Sequence, residues 1–183
     1  MKITAISFKI EKIPLKTPFI TALRRVEHVE NLRICIHTDT PNIGFGAAPA
    51  TKAITGEDLN SIQTNIKNVI TPLLVNEPFD LSRVLKILHS CSDGNNSAKA
   101  AVDMALYDLA AMQKGQNLLT FLGGTPTPLK TALTISLNPI NKMVEEATLA
   151  YGRGYSILKI KVGKDDGDDL ARIQAIRKAL PTA

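Results

Sequence analysis

The 183-residue sequence has no tryptophan and few other aromatic residues, with three Tyr and five Phe. These side chains do not alternate with Lys or Arg, as a stacking groove for single-stranded nucleic acid requires. The net charge of +5 comes from 22 basic and 17 acidic residues, without a basic block. We therefore expect no nucleic-acid partner.

The sequence also lacks long apolar runs and has only two cysteines. No run approaches the ~18 residues of a membrane span. The first ten residues alternate in polarity instead of forming a signal-peptide core. Cys35 and Cys91 have no second thiol or His at metal-ligand spacing. These features predict a cytoplasmic protein that contacts no membrane and keeps both cysteines reduced.

The first part of the chain has strand composition. Residues 2–10 and 33–38 are rich in β-branched residues, and apolar and polar residues alternate in them. This pattern predicts a small antiparallel meander. Residues 16–30 between them have no clean period and predict a loop that carries Arg24 and Arg25. Such arginines are usually solvated, although a guanidinium can also hold a carboxylate through two parallel hydrogen bonds.

Helical periodicity follows the strands. Thr55 and Asp58 have the spacing of a capping box, and apolar residues at helical spacing predict a helix from there to Pro72. Further helices are predicted over residues 81–88 and 98–114. The buried face of the last one is predicted to consist of Val102, Ala105, Leu106, Leu109 and Met112.

From residue 130 onward the pattern changes to strand, helix, strand, helix. The first strand, residues 131–137, has one apolar face and one small polar face, and the polar face contains Thr134. The last helix is predicted to bury a stripe of Leu170, Ile173, Ile176 and Leu180. The acids crowded at its start are predicted to cap it, namely Asp165, Asp166, Asp168 and Asp169.

The second of these strands carries two lysines on one face. Side chains alternate along a strand, so Lys159 and Lys161 share a face. Strands of parallel βα units are normally buried on both sides. Two partly desolvated ammonium groups destabilise each other's charged form, which suits a lysine that acts as a base. An ordinary solvated strand face is the alternative interpretation.

Several segments resemble the muconate-lactonizing subgroup of the enolase superfamily, and within it the dipeptide epimerases of the L-Ala-D/L-Glu type. The resemblance rests on residues 97–108, 122–124 and 158–163, and it extends in order over the whole chain. Residues 54–57 and 161–166 strengthen the similarity to the epimerases.

The resemblance implies an α+β capping domain over residues 1–128 and the first βα units of a modified TIM (β/α)8 barrel over residues 129–183. Two βα units cannot close a barrel, which takes eight. The implied activity is that of an isomerase, which removes and returns the α-proton of a dipeptide through an enediolate with the help of Mg²⁺. No metal ligand is assigned in this chain. We expect the ligands and a second lysine beyond Ala183, and the 183 residues alone to be inactive.

Carried over residue by residue, the resemblance makes Lys161 the proton-transferring lysine. Lys159 matches its partner, which contacts the substrate carboxylate. Thr134 matches a substrate-contacting position on the first barrel strand, and Arg24 matches a residue that binds the side-chain carboxylate of a Glu-containing dipeptide. Ala47 departs from the pattern, because relatives commonly carry Glu there.

Other activities fit the same residues. Within the superfamily, the alternatives are an N-acylamino acid racemase, an o-succinylbenzoate synthase and a muconate cycloisomerase, although Arg24 favours an anionic dipeptide. From another class, the alternative is a non-catalytic fragment that acts as a structural or interaction module. An incomplete barrel exposes apolar strand edges, which favours association. A homo-oligomer is compatible with each alternative.

Overall fold

The structure is a computed structural model that describes residues 1–164 and 166–183. The chain forms two compact units. The first consists of Met1–Ile13 and Val29–Pro126, and the second of Pro14–His28 and Thr127–Ala183. The domain bounds given above, 1–128 and 129–183, stay a prediction.

Strands precede helices in the first part of the chain, and the two alternate in the last part. The elements of the first part are β1 (Ile3–Ile20), β2 (Arg25–Thr38), β3 (Ile43–Pro49), α1 (Lys52–Thr55), α2 (Leu59–Asn65), a π-helical segment (Ile66–Ile70), α3 (Thr71–Leu74), α4 (Leu81–Ser90), α5 (Asn96–Gln113) and α6 (Leu118–Phe121). Those of the last part are β4 (Leu133–Ile135), α7 (Ile140–Gly152), β5 (Leu158–Ile160) and α8 (Asp169–Ala179).

The predicted meander is confirmed as a three-stranded sheet in the order β1-β2-β3. β2 and β3 pair antiparallel, with Cys35 opposite Phe45. Alternate residues of β2 point into the core, where Leu32, Ile34 and Ile36 are fully buried. The alternation of apolar and polar residues along β2 therefore marks the part of the sheet that is covered by helices.

The predicted loop over residues 16–30 is wrong. β1 continues to Ile20 and β2 starts at Arg25, and the turn between them is closed by a 2.9 Å hydrogen bond from Thr21 N to Arg24 O. Most residues at this end of β1 are exposed or half-buried. The ladder needs only backbone groups, whereas alternation arises from burial of one face. The sequence of an exposed hairpin end therefore shows no alternation of apolar and polar residues.

The helix α5 packs directly on β3. A Cβ atom added to Gly46 would lie 1.8 Å from the carbonyl oxygen of Ala101, so only glycine allows this approach. Met112 is 37% exposed, contrary to the prediction, because Ala110 and Ala111 take the buried positions of that turn. The other predicted core residues of the helix are fully buried, namely Val102, Ala105, Leu106 and Leu109.

The predicted capping role of Thr55 is wrong. Thr55 ends α1, and Gly56 follows in the left-handed region with φ 78°. The next helix, α2, starts after Asp58, whose side chain accepts a 2.9 Å hydrogen bond from Ser61 N. The glycine ends one helix before the next begins, so the capping residue is the acid and not the hydroxyl.

The predicted end of the helix at Pro72 is also wrong, because α3 continues to Leu74. The π-helical segment comes immediately before it, and Thr71 N donates to Ile66 O, five residues earlier. In an α-helix the proline ring collides with the carbonyl group four residues before it. A wider π turn at this point relieves that collision.

The second unit contains the parallel pair β4 and β5, with the helices α7 and α8. Its core includes Ile135, Leu137, Met143, Ala147 and Ile176. The predicted stripe of α8 is only half correct. Ile176 and Leu180 are buried, but Leu170 is 66% exposed and Ile173 is 47% exposed. The buried position in the first half of the helix is taken by Arg172, which is 3% exposed.

Candidate functional site

Lys161 follows the last residue of β5. Its backbone N–H donates a 3.1 Å hydrogen bond to the carbonyl oxygen of Ile135, which is the last residue of β4. The hydrogen-bond ladder therefore continues one residue beyond β5. Lys161 is fixed where both strands end, and the carboxyl ends of parallel strands form the face on which barrel enzymes place their active sites.

Thr134 and Lys159 are register partners in the β4–β5 pair. Partners in register carry their side chains on the same face of a sheet, and Lys161 follows Lys159 on that face by alternation. The structure therefore brings together three of the four residues predicted for the site. What these residues do chemically stays a prediction.

The expected burial of the lysine face is not observed. Lys159 is exposed and Lys161 is half-buried. Among the described residues the sheet has two strands, so β5 has a neighbour on one side only. The sequence pattern is that of a parallel strand buried on both faces. The described residues nevertheless leave the lysine face of β5 largely open.

Phe19 contacts the ammonium group of Lys161, whose Nζ lies 5.5 Å from the centre of the aromatic ring. This distance is typical of a cation–π interaction. The next residue, Ile20, fixes the segment in place. Its N–H donates to Ser136 Oγ at 3.2 Å, and its carbonyl accepts a hydrogen bond from Leu137 N at 3.0 Å. Nothing in the local pattern around Phe19 indicated this contact.

Arg24 is half-buried in the turn of the same hairpin. Its backbone N–H donates to Thr21 Oγ1 at 3.2 Å, which rigidifies the turn. The turn lies beside the loop that follows β5, because a Cβ atom added to Gly163 would lie 3.9 Å from the Cβ atom of Ala22. The neighbouring Arg25 is exposed and pairs with Glu27 at 3.1 Å.

Two of the acids predicted to cap α8, Asp166 and Asp169, bind Arg172. Asp168 occupies the N-cap position but makes no side-chain capping bond within the described residues, so the predicted capping by this side chain is wrong. Asp169 lies in the first turn of α8, where a carboxylate interacts favourably with the helix dipole, as predicted. Asp165 lies outside the described residues. The side chain of Asp166 pairs with Arg172 at 2.6 Å, and this hydrogen bond holds the pKa of the Asp166 carboxyl group well below its usual range.

The described residues do not fit a bound metal ion. No group of three or more His, Cys, Asp or Glu side chains among them could hold one. Asp166 and Asp169, which follow β5, are both engaged by Arg172. These two carboxylates are therefore not available as metal ligands in this arrangement.

Among the helices in the described part of the chain, none is long and apolar enough to cross a membrane. Cys35 and Cys91 form no disulfide bond in the described part of the chain. The cytoplasmic location stays a prediction.

Comparison with known families agrees with this arrangement. The N-terminal domain of the mandelate racemase/muconate lactonizing enzyme family matches residues 3–123. The chain therefore belongs to this family of the enolase superfamily. The predicted fold class is confirmed: an antiparallel sheet with helices forms the capping part, and the related structures are enolase-superfamily proteins.

Among individual proteins, the chain is similar to dipeptide epimerases. It is 44% identical to the L-Ala-D/L-Glu epimerase of Clostridium acetobutylicum, over 92% of this chain and 47% of that protein. The substrate-liganded structure of the L-Ala-D/L-Glu epimerase from Bacillus subtilis superposes with a TM-score of 0.94 at 41% identity, over 98% of this chain and 51% of that one.

The dipeptide epimerase from Cytophaga hutchinsonii, solved with Mg and the dipeptide D-Ala-L-Val, gives a TM-score of 0.90 at 31% identity. This comparison covers 98% of the chain and 49% of that structure. The chain thus spans about half the length of the relatives that it matches.

Proposed function

We propose that the whole protein is a dipeptide epimerase of the L-Ala-D/L-Glu type. The observation that carries this proposal is the place of Lys161, at the carboxyl ends of β4 and β5 and against Phe19. The 44% identity to an L-Ala-D/L-Glu epimerase supports the substrate class.

In this proposal Lys161 exchanges the α-proton of the substrate at its Nζ atom. An α-proton next to a carboxylate is only weakly acidic, so an amine removes it only when the charge of the enediolate is stabilised. The ammonium group of Lys159, on the same face, supplies one positive charge beside the substrate carboxylate. The hydroxyl group of Thr134, opposite Lys159 in the register, can hydrogen-bond to the substrate.

The opposite face of the substrate requires a second base, because epimerisation removes a proton from one side and returns it on the other. We propose that this base is a second lysine, which the resemblance leads us to expect beyond Ala183. Magnesium, present in the related structure from Cytophaga hutchinsonii, is the proposed cofactor. Since the relatives are about twice as long, we also propose that these 183 residues alone are inactive.

Arg24 is the proposed binding residue for the second carboxylate of the substrate. The turn that carries it lies beside the loop that follows Lys161. A guanidinium group binds a carboxylate through two parallel charge-assisted hydrogen bonds, so a dipeptide with Glu as its second residue suits this position.

The experiment is α-proton exchange of L-Ala-L-Glu in deuterated water with Mg²⁺, followed by NMR on the whole protein. We expect deuterium at the Glu α-carbon with the unmodified protein. The variant Lys161→Ala should lose exchange from at least one epimer, whereas Lys178→Ala, at an exposed position of α8, should keep both.

Two results would contradict the proposal. Exchange at normal rates from both epimers by Lys161→Ala would remove this lysine from the reaction. Exchange of an N-succinyl amino acid, with no exchange of any dipeptide, would instead identify an N-acylamino acid racemase.

A further inference from the structure

Arg172 is a charged side chain buried in the second unit, with only 3% of its surface exposed. Burying a charge is costly unless it is paired and hydrogen-bonded. Its two terminal nitrogens bind both carboxylate oxygens of Asp166, at 2.6 and 2.8 Å. One of them also binds Asp169 Oδ1 at 3.0 Å. The guanidinium group is therefore almost fully engaged.

Two partners of Arg172 lie in different loops, whereas Asp169 is the first residue of α8. Asp166 belongs to the loop between β5 and α8. Asn138 belongs to the loop between β4 and α7, and its carbonyl oxygen accepts a 3.4 Å hydrogen bond from Arg172 Nε. One side chain thus joins the two loops that follow the adjacent parallel strands.

Asp169 extends this network to the segment that carries Lys161. Its second oxygen, Oδ2, accepts a 2.7 Å hydrogen bond from the backbone N–H of Gly163. Gly163 has φ 99°, a left-handed conformation that favours glycine. The backbone is therefore held at Lys161 by the strand ladder and, two residues later, by Asp169.

We propose that Arg172 is a positioning residue for proton transfer by Lys161. Arg172 orients Asp169, Asp169 fixes Gly163, and the fixed backbone sets the direction in which the Lys161 side chain leaves the strand. This inference rests on the proposed function. Proton transfer is sensitive to such placement, since a shift of about 1 Å can cost roughly 100-fold in rate.

The test compares two neighbouring acids in the whole protein. Asp169→Ala removes the acceptor of the Gly163 N–H but leaves Arg172 paired with Asp166. Asp168→Ala is the matched control, because this side chain is 56% exposed, makes no capping bond among the described residues and lies 4.0 Å from Arg172.

We expect Asp169→Ala to lower kcat for α-proton exchange from one epimer of L-Ala-D/L-Glu by roughly 10- to 100-fold, with KM changed less than about twofold. The other epimer, whose proton is removed by the opposite base, should exchange within about threefold of the unmodified protein. Asp168→Ala should leave both epimers unchanged. Arg172→Lys keeps the charge but loses the planar guanidinium group. It should lose exchange from the same single epimer as Asp169→Ala.

Loss of exchange from both epimers by the same factor would overturn the positioning role, because general destabilisation lowers both equally. Equal activity of Asp169→Ala and Asp168→Ala, in a protein that exchanges both epimers before mutation, would overturn it as well. An unmodified protein with no exchange of any dipeptide would overturn the proposed function itself.

Discussion

The carboxylate of Glu57 accepts hydrogen bonds from both the side chain and the backbone of Ser97, with Oε2 2.6 Å from Ser97 Oγ and 3.0 Å from Ser97 N. Ser97 lies in the first turn of α5, where N–H groups have no partner within the helix. Asn95, at the N-cap position, makes no side-chain capping bond within the described residues. Glu57 therefore caps α5 from a loop that is distant in sequence.

Replacing Glu57 should destabilise the first unit. We expect Glu57→Ala to lower the free energy of unfolding by about 1–2 kcal/mol, because it leaves first-turn donors of α5 without an acceptor. Glu57→Gln, which keeps one acceptor oxygen, should lose less. Urea denaturation measures the change, with Glu30→Ala as the exposed control. Equal midpoints for Glu57→Ala and Glu30→Ala would show that the cap adds no stability.

Gly46 is predicted to tolerate no side chain. A methyl group at this position meets the carbonyl oxygen of Ala101, and this oxygen moves only with the backbone of α5. We expect Gly46→Ala to cost about 3 kcal/mol, at the upper end of overpacking effects. Gly152→Ala, at the end of α7 with no atom within 4 Å of the new methyl group, is the control and should be neutral or slightly stabilising. Thermal unfolding of both variants tests this difference.

Arg24 is predicted to set the preference for an acidic second residue. A charge-assisted hydrogen bond contributes about 1.5–3 kcal/mol, so Arg24→Ala should lower kcat/KM for L-Ala-L-Glu by roughly 10- to 100-fold. Dipeptides with a neutral second residue should be affected much less. Arg25→Ala is the control, because this exposed neighbour pairs with Glu27. An unchanged dipeptide profile in Arg24→Ala would exclude this residue from substrate binding.

The pairing of Asp166 with Arg172 predicts a pH dependence of stability. The pKa of the Asp166 carboxyl group is lower in the folded chain than its unfolded value of about 3.9. The resulting stabilisation is complete above that unfolded value and is lost as the pH falls below it.

The free energy of unfolding of Asp166→Asn, measured by urea titration at several pH values between about 5 and 2, should therefore change less with pH than that of the unmodified chain. Asp168→Asn should keep the original slope, because this acid is mostly exposed. Parallel curves for Asp166→Asn and the unmodified chain would contradict the prediction.

Much of the fold was predictable because regular elements leave a local pattern. Residues that share a buried face recur at fixed spacing, as Val102, Leu106 and Leu109 do in α5. The hairpin end around Phe19 and Ile20 left no such pattern, since most of its neighbours are exposed or half-buried. The continuation of the helix through Pro72 was equally hidden, because a π turn depends on backbone geometry and not on side-chain polarity.

The residues of the candidate site were likewise predictable only in part. Alternation and the family resemblance assigned Lys159 and Lys161 to one face of the second barrel strand and Thr134 to the polar face of the first. Phe19 and Arg172 were missed because each acts through contacts between separate segments. An arginine on a helix is normally assigned to solvent, and burial of Arg172 depends on acids that the sequence pattern assigned to capping. Only the three-dimensional arrangement connects these residues.

The π-helical segment Ile66–Ile70 also determines whether one residue can be deleted from this helical region. An α-helix turns by 100° per residue, so inserting one residue rotates everything after it, whereas a π turn holds the extra residue locally. Deleting the exposed Asn68 would convert the segment to a regular α-helix and leave Ile62 and Leu74 facing the same core. That shorter helix would bring the ring of Pro72 against a backbone carbonyl group. A one-residue deletion here is therefore tolerated only together with replacement of the proline.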